Sequence, residues 1–120
     1  CSSEIDRLVK FFFSDNFDYS FNHIPRENNY PDGLGAEVCT LKLLKHIDEV
    51  AIDPIYREHI FNFIWERREN YKIKKFNAPD GISYPKLKLD VNNIEEYKSL
   101  ISKPYDINMS AEEIVKLANS

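Results

Sequence analysis

Apolar residues at Ile5, Leu8, Val9, Phe12 and Phe13 recur at i, i+3, i+4, i+7 and i+8, the period of a helix with one face on a core. Ser3, with Asp6 three residues on, has the chemistry of its N-cap. Asp15-Asn16 ends the pattern, and Phe17 to Phe21 carries aromatics on alternate positions, as a short strand does. Ala36 to Cys39 reads as an apolar strand, after which Thr40 caps a helix built on Leu43, Leu44, Ile47, Val50 and Ala51. Asp53-Pro54 opens another helix, expected to run unbroken to Glu69. Tyr71 to Phe76 and Lys86 to Val91 are expected strands, the second with Leu87, Leu89 and Val91 on one face, and a turn region containing Pro79-Asp80-Gly81 lies between them. Asn93 with Glu96, and Ser110 with Glu113, have capping-box spacing for two final helices, one on Ile94, Tyr97, Leu100 and Ile101, the other on Ile114, Val115 and Leu117. Alternating helices and strands without an internal repeat predict an α/β layered fold.

Two stretches do not fit a plain layer. In the helix expected over Pro54 to Glu69, Ile55, Tyr56, Ile60, Phe61, Phe63, Ile64 and Trp65 leave only Glu58, Asn62, Glu66 and Glu69 as a polar stripe. So wide an apolar surface predicts cover from a missing half-domain or a subunit partner. The second stretch is Tyr30-Pro31-Asp32-Gly33-Leu34-Gly35-Ala36-Glu37-Val38, which holds two of the three glycines. Pro31 presets φ and Gly33 can take φ above zero, so a tight turn should present Asp32, while Gly35 admits close approach of another segment. Glu37 enters an apolar strand, where a carboxylate requires something to meet it.

The 120 residues suffice for one domain, and 42% hydrophobic with 13% aromatic residues describes an ordered chain. A formal charge of −4 and the lack of a basic stripe interleaved with aromatics argue against a nucleic-acid partner. Lys72, Lys74 and Lys75 are expected to guard a sheet edge. Two cysteines and three scattered histidines offer neither a disulfide framework nor zinc spacing, which suits a reducing, cytoplasmic setting. No apolar run approaches a membrane span. Because the first residue is Cys and a helix starts at once, the chain reads as a piece of something longer.

Catalytic motifs are sparse. Cys39 lies in an apolar strand, where burial should raise its thiol pKa, and no Gly-x-Ser-x-Gly, dinucleotide fingerprint or P-loop occurs. In Arg57-Glu58-His59, helical neighbours point about 100° apart, so Glu58 should not orient His59. His59 would be a structural histidine beside Ile55, Tyr56, Ile60 and Phe63, and Arg57 a contact for an anion or a partner carboxylate. Asp90 and Asn92, separated by Val91, share a face at the end of an expected strand and could hold a hard cation together.

The order of these features resembles the C-terminal half of the cytidylyltransferases that make CMP-activated sugars, of the spore-coat-polysaccharide and acylneuraminate type. The resemblance is carried by Asp18-Tyr19 with Asn22, Tyr30-Pro31-Asp32-Gly33-Leu34, Glu37-Val38, Arg57-Glu58-His59, and Leu87-Lys88-Leu89 running into Asn92-Asn93-Ile94-Glu95-Glu96. It implies part of a Rossmann-like nucleotidyltransferase fold, a mixed sheet flanked by helices, whose CTP-binding N-terminal half is missing. Residues 1–120 would be the sugar-binding and dimerising half, inactive alone, of an enzyme that transfers CMP from CTP to an acidic or amino sugar, using Mg²⁺, as a homodimer. A non-enzymatic sugar-binding or dimerisation module is the alternative. The implied substrate contacts are Asn22, Asp32, Gly33, Glu37 and Arg57. Where the family has an acid, Gly35 stands, and where it has a second metal carboxylate, Asn92 stands, so metal binding through this half would rest on Asp90.

Overall fold

The computed structural model describes all 120 residues. Helix α1 (Ser2–Phe12) leads into strand β1 (Tyr19–Phe21), strand β2 (Glu37–Cys39) and helix α2 (Leu41–Val50). Short helices α3 (Ile55–Glu58) and α4 (Asn62–Trp65) follow, then strand β3 (Ile73–Lys75) and helices α5 (Ile94–Ile101) and α6 (Ala111–Ala118). The three strands make a small mixed sheet in the order β2-β1-β3, with β1 antiparallel to β2 and parallel to β3. The architecture is α/β, as the alternation predicts. β3 is an edge strand with Lys74 and Lys75 exposed, the placement expected of its lysines.

Side chains alternate across β1, so Tyr19 and Phe21 share one face. Their rings stack 5.9 Å apart and join Leu43, Ile47 and Ala51 of the α2 segment and Phe63 and Ile64 of α4 in the main core. Helix α1 lies against β1 and β2, burying Leu8 and Phe12. A second, separate core gathers Tyr30, Leu34 and Ile82 beneath Ala111 and Val115 of α6. Capping follows the sequence closely: Thr40 Oγ1 accepts from Leu43 N–H at 3.0 Å, and Ser110 and Glu113 form a complete capping box. At α5, Asn93 Oδ1 accepts from Glu96 N–H, but the Glu96 carboxylate reaches one residue further back, to Asn92 N–H.

Four expectations are corrected. The helix over Pro54 to Glu69 is broken at His59–Phe61, where His59 takes φ −123° and ψ 68°. Ile60-Phe61-Asn62-Phe63-Ile64-Trp65 is a run of weak helix formers, and the break turns Ile60, Phe61, Phe63, Ile64 and Trp65 onto the chain's own main core. These side chains are thus covered from within the chain. Lys86 to Val91 does not form a strand; one bridge, Asp32 to Lys88, is all that pairs, though Leu87 and Leu89 pack on the second core. Val91 is exposed. In α1, Ile5 and Val9, with Phe13 just beyond it, face outward and Ser3 provides no cap, because the buried stripe runs through Glu4, Leu8 and Phe12. His59, finally, is half exposed and lies 3.6 Å from Glu58, so the two are neighbours and the histidine is not a core residue.

Candidate functional site

The tight turn at Pro31-Asp32-Gly33 forms as its residues dictate, with Gly33 at φ +87°. Three backbone hydrogen bonds pin it: Asp32 N–H to Leu87 O, Leu89 N–H to Asp32 O, and Gly33 N–H to His23 O, all 2.8–2.9 Å. The Asp32 side chain is thereby held among Asp90, Lys88 and His23. Burial, and then the Asp90 charge, hold its carboxyl above the usual aspartate range.

Glu37 is met as its position demands. Tyr19 and Glu37 are diagonal neighbours across the β1–β2 ladder, since Tyr19 pairs with Cys39 and Phe21 with Glu37. The Tyr19 hydroxyl donates to Glu37 Oε1 at 2.5 Å, and His23 Nε2 lies 3.6 Å from the same oxygen. Burial first, then Glu37, push the Tyr19 phenol well above its ordinary value, so it stays a donor. Cys39 is also raised, chiefly by burial, as an apolar strand predicts. His23 thus sits between two carboxylates, Glu37 and Asp32, both of which act on it electrostatically. A cavity of about 230 Å³ opens beside it, bounded by His23, Arg26, Glu37, Glu58, His59 and Asn62 together with the Trp65 ring. Its walls mix carboxylates, imidazoles, an amide and a guanidinium, a set that can both donate to and accept from a polyhydroxylated ligand.

Burial pulls the His23 imidazole below its usual 6.5, more than Glu37 and Asp32 lift it. Its Nδ1 is buried without a hydrogen-bond partner. Neutral His23 is accordingly the form present at pH 7. Glu37→Gln deletes a charge that raises the imidazole pKa, so an NMR titration should show a His23 midpoint below 6.5 that drops further in this variant. An upward move would contradict the arrangement.

Of the residues singled out in the sequence, Asp32, Gly33 and Glu37 come together around His23. Asn22 does not join them: it is fully buried, its Nδ2 donating to Glu4 O at 2.8 Å and its Oδ1 accepting from Ala36 N–H at 2.9 Å. Arg57 lies outside the cavity and pairs with Asp48 on the surface. Asn92 turns its Nδ2 toward Asp90 Oδ2, presenting hydrogens where a cation ligand presents oxygen. Lys88 Nζ, 3.1 Å from Glu96 and 3.8 Å from Asp90, is the positive charge at that corner. No three His, Cys, Asp or Glu side chains are grouped to hold a metal ion, and Asn92 in this orientation adds no oxygen ligand to Asp90. The reading by motif missed His23, Arg26 and Tyr19. Tyr19 was recoverable from the alternation opposite Glu37, whereas His23 and Arg26 lie in an irregular loop that carries no periodic signal.

No family model matches the chain, and no solved structure matches it. Two curated proteins are similar to it. Uncharacterized protein MJ1063 of Methanocaldococcus jannaschii is 26% identical over 114 residues, which cover 92% of this chain and 45% of that protein. Spore coat polysaccharide biosynthesis protein SpsF of Bacillus subtilis is 27% identical over 120 residues, covering 96% of this chain and 48% of that protein. The chain spans about half the length of the curated relatives it matches, and at a coarse level its likeness is to a protein of polysaccharide biosynthesis.

Proposed function

We propose that these residues are the sugar-facing half of a cytidylyltransferase-like enzyme that transfers CMP from CTP to an acidic sugar for surface polysaccharide, within a Rossmann-like sheet completed by a nucleotide-binding half. The observation that carries this reading is the polar cavity in which Glu37, fixed by Tyr19, faces His23 and Arg26. At about 230 Å³ it is smaller than the ~300–1,000 Å³ typical of drug-sized ligand sites, a volume suited to one monosaccharide. The likeness to SpsF, a spore coat polysaccharide biosynthesis protein, supports the same direction. So does the shape: the radius of gyration is 15.6 Å, against ~13.6 Å for a compact domain of this length.

Glu37 accepts hydrogen bonds from sugar hydroxyls, the Nε2–H of neutral His23 donates one, and Arg26 pairs with the sugar carboxylate. A sugar oxygen so positioned attacks the α-phosphorus of CTP and expels pyrophosphate; the protein contributes placement and charge. The family's Mg²⁺ supplies charge neutralisation when bound, and no part of holding it is assigned to Asp90 or Asn92. Homodimerisation belongs to the same proposal, with the outward Ile5 and Val9 of α1 and Phe13 just beyond it as the surface available for it.

Saturation-transfer NMR with N-acetylneuraminate tests the reading. The chain should bind it, and Glu37→Gln should weaken binding about tenfold or more, the value of a hydrogen bond to a charged group. Equal affinity in the variant, or equal binding of uncharged glucose, would overturn it, as would consumption of CTP by the isolated chain.

A further inference from the structure

On the other side of the Arg26–Trp65 pair lies a second and larger cleft, of about 490 Å³, open along edge strand β3. Its apolar wall is Phe21, Trp65 and Tyr71, and its rim carries Arg26, Arg68 and Lys75. Only one carboxylate, that of Glu27, borders it, and Lys75 neutralises that group at 2.9 Å while also donating to the Glu27 carbonyl. The Arg68 guanidinium remains unspent, for its side chain makes no ion pair and no hydrogen bond within the chain. Arg26 is instead held flat, its guanidinium carbon 4.0 Å from the Trp65 ring centre.

The loop that delivers Arg26 is strained. Glu27 and Asn29 take φ of 54° and 60°, the left-handed region that side chains other than glycine enter at a cost, and the fully buried Asn28 between them anchors the loop through Tyr30 N–H and Ala78 N–H. Strain of this kind is kept where surrounding structure fixes a particular presentation, here of Arg26 to the cleft.

We propose that the cleft is a binding site for a nucleoside monophosphate, distinct from the His23–Glu37 cavity. Phe21 is buried beneath the wall, and the partly exposed Trp65 and Tyr71 rings with the flat Arg26 guanidinium offer the stacking surfaces for a base. Arg68 offers the fork geometry that a phosphate accepts. A monosaccharide fits it poorly, because the only carboxylate on the wall, that of Glu27, is already engaged by Lys75. This assignment goes beyond the sugar reading and stands without it.

The test is titration of the ¹⁵N-labelled chain with AMP, inorganic phosphate and adenosine in parallel. AMP should shift the amides of Arg68, Tyr71 and Ile73, with affinity falling as salt is raised, and both phosphate and adenosine should bind at least about tenfold more weakly. Arg68→Gln, an exposed and unpartnered position that leaves the fold intact, should weaken AMP about tenfold or more. Equal binding of phosphate, which would need no aromatic wall, overturns the proposal. So does unchanged AMP affinity in Arg68→Gln, or AMP shifts confined to His23, Glu37 and His59.

Discussion

Gly35→Ala is expected to destabilise the chain by about 3 kcal/mol or more, at the upper end of overpacking penalties. The conformation of Gly35 is not the reason. A methyl group there would lie 2.1 Å from Asn22 Oδ1 and 2.4 Å from Asn22 O, and the second of these is backbone. Neither atom can withdraw cheaply. Asn22 O is fixed in the chain leaving β1, and Oδ1 holds Ala36 N–H. A domain of ordinary stability has about 5–15 kcal/mol in hand, so the loss should be plain in a urea midpoint. A midpoint shift equivalent to less than about 1 kcal/mol would mean that β2 does not approach Asn22 as described.

Asn22→Ala should be nearly as costly. It strands Ala36 N–H and takes one of two donors from Glu4 O, which keeps its helical bond; a group left without its partner in a buried setting costs about 1–3 kcal/mol. Asn22→Asp makes a sharper test because its cost has a sign in pH. The aspartate would keep the acceptor for Ala36 N–H but turn an oxygen toward Glu4 O, so its buried carboxylate would favour protonation and its pKa would rise. A raised folded-state pKa gives stability below the unfolded value that is lost as pH climbs through the folded one. Asn22→Asp should therefore approach wild-type stability in acid and fall away toward neutrality, while Asn22→Ala stays low throughout. Parallel pH curves for the two variants would refute the assigned hydrogen bonds. The two sites should also couple: Gly35→Ala in an Asn22→Ala background should cost less than the sum, since Oδ1 is gone, though not zero while Asn22 O remains.

Both predictions concern a residue whose type was legible and whose role was not. Asn22 follows a strand and precedes a polar loop, which describes a surface contact as well as it describes a buried clamp. What separates the two is the arrival of Glu4 from α1 and Ala36 from β2 at one point, and neither is a sequence neighbour of Asn22. The 54–69 segment teaches the same lesson from composition. Its aromatic and β-branched run predicts a helix greasy on too many sides, and in the structure the helix gives way so that the same side chains meet one core. Helical hydrogen bonds around His59 are surrendered because burial of Phe63 and Ile64 returns more, about 1.5–3 kcal/mol for each large side chain wholly removed from water.

Local chemistry sufficed where a residue acts on its near neighbours. Thr40 and Ser110 cap their helices, Gly33 turns the chain at positive φ, lysines line the edge strand, and the helix–strand alternation places the fold in the α/β class. Each of these follows from a few successive dihedrals or from a side chain reaching its own backbone, so a short window contains the whole cause. The pairing of Glu37 with Tyr19 and His23, the spending of Asn22 and Asn92 on internal hydrogen bonds, and the flat seat of Arg26 on Trp65 were settled only when distant segments packed. Those contacts depend on strand register and on where a broken helix turns, and both are fixed by burial summed over the whole chain.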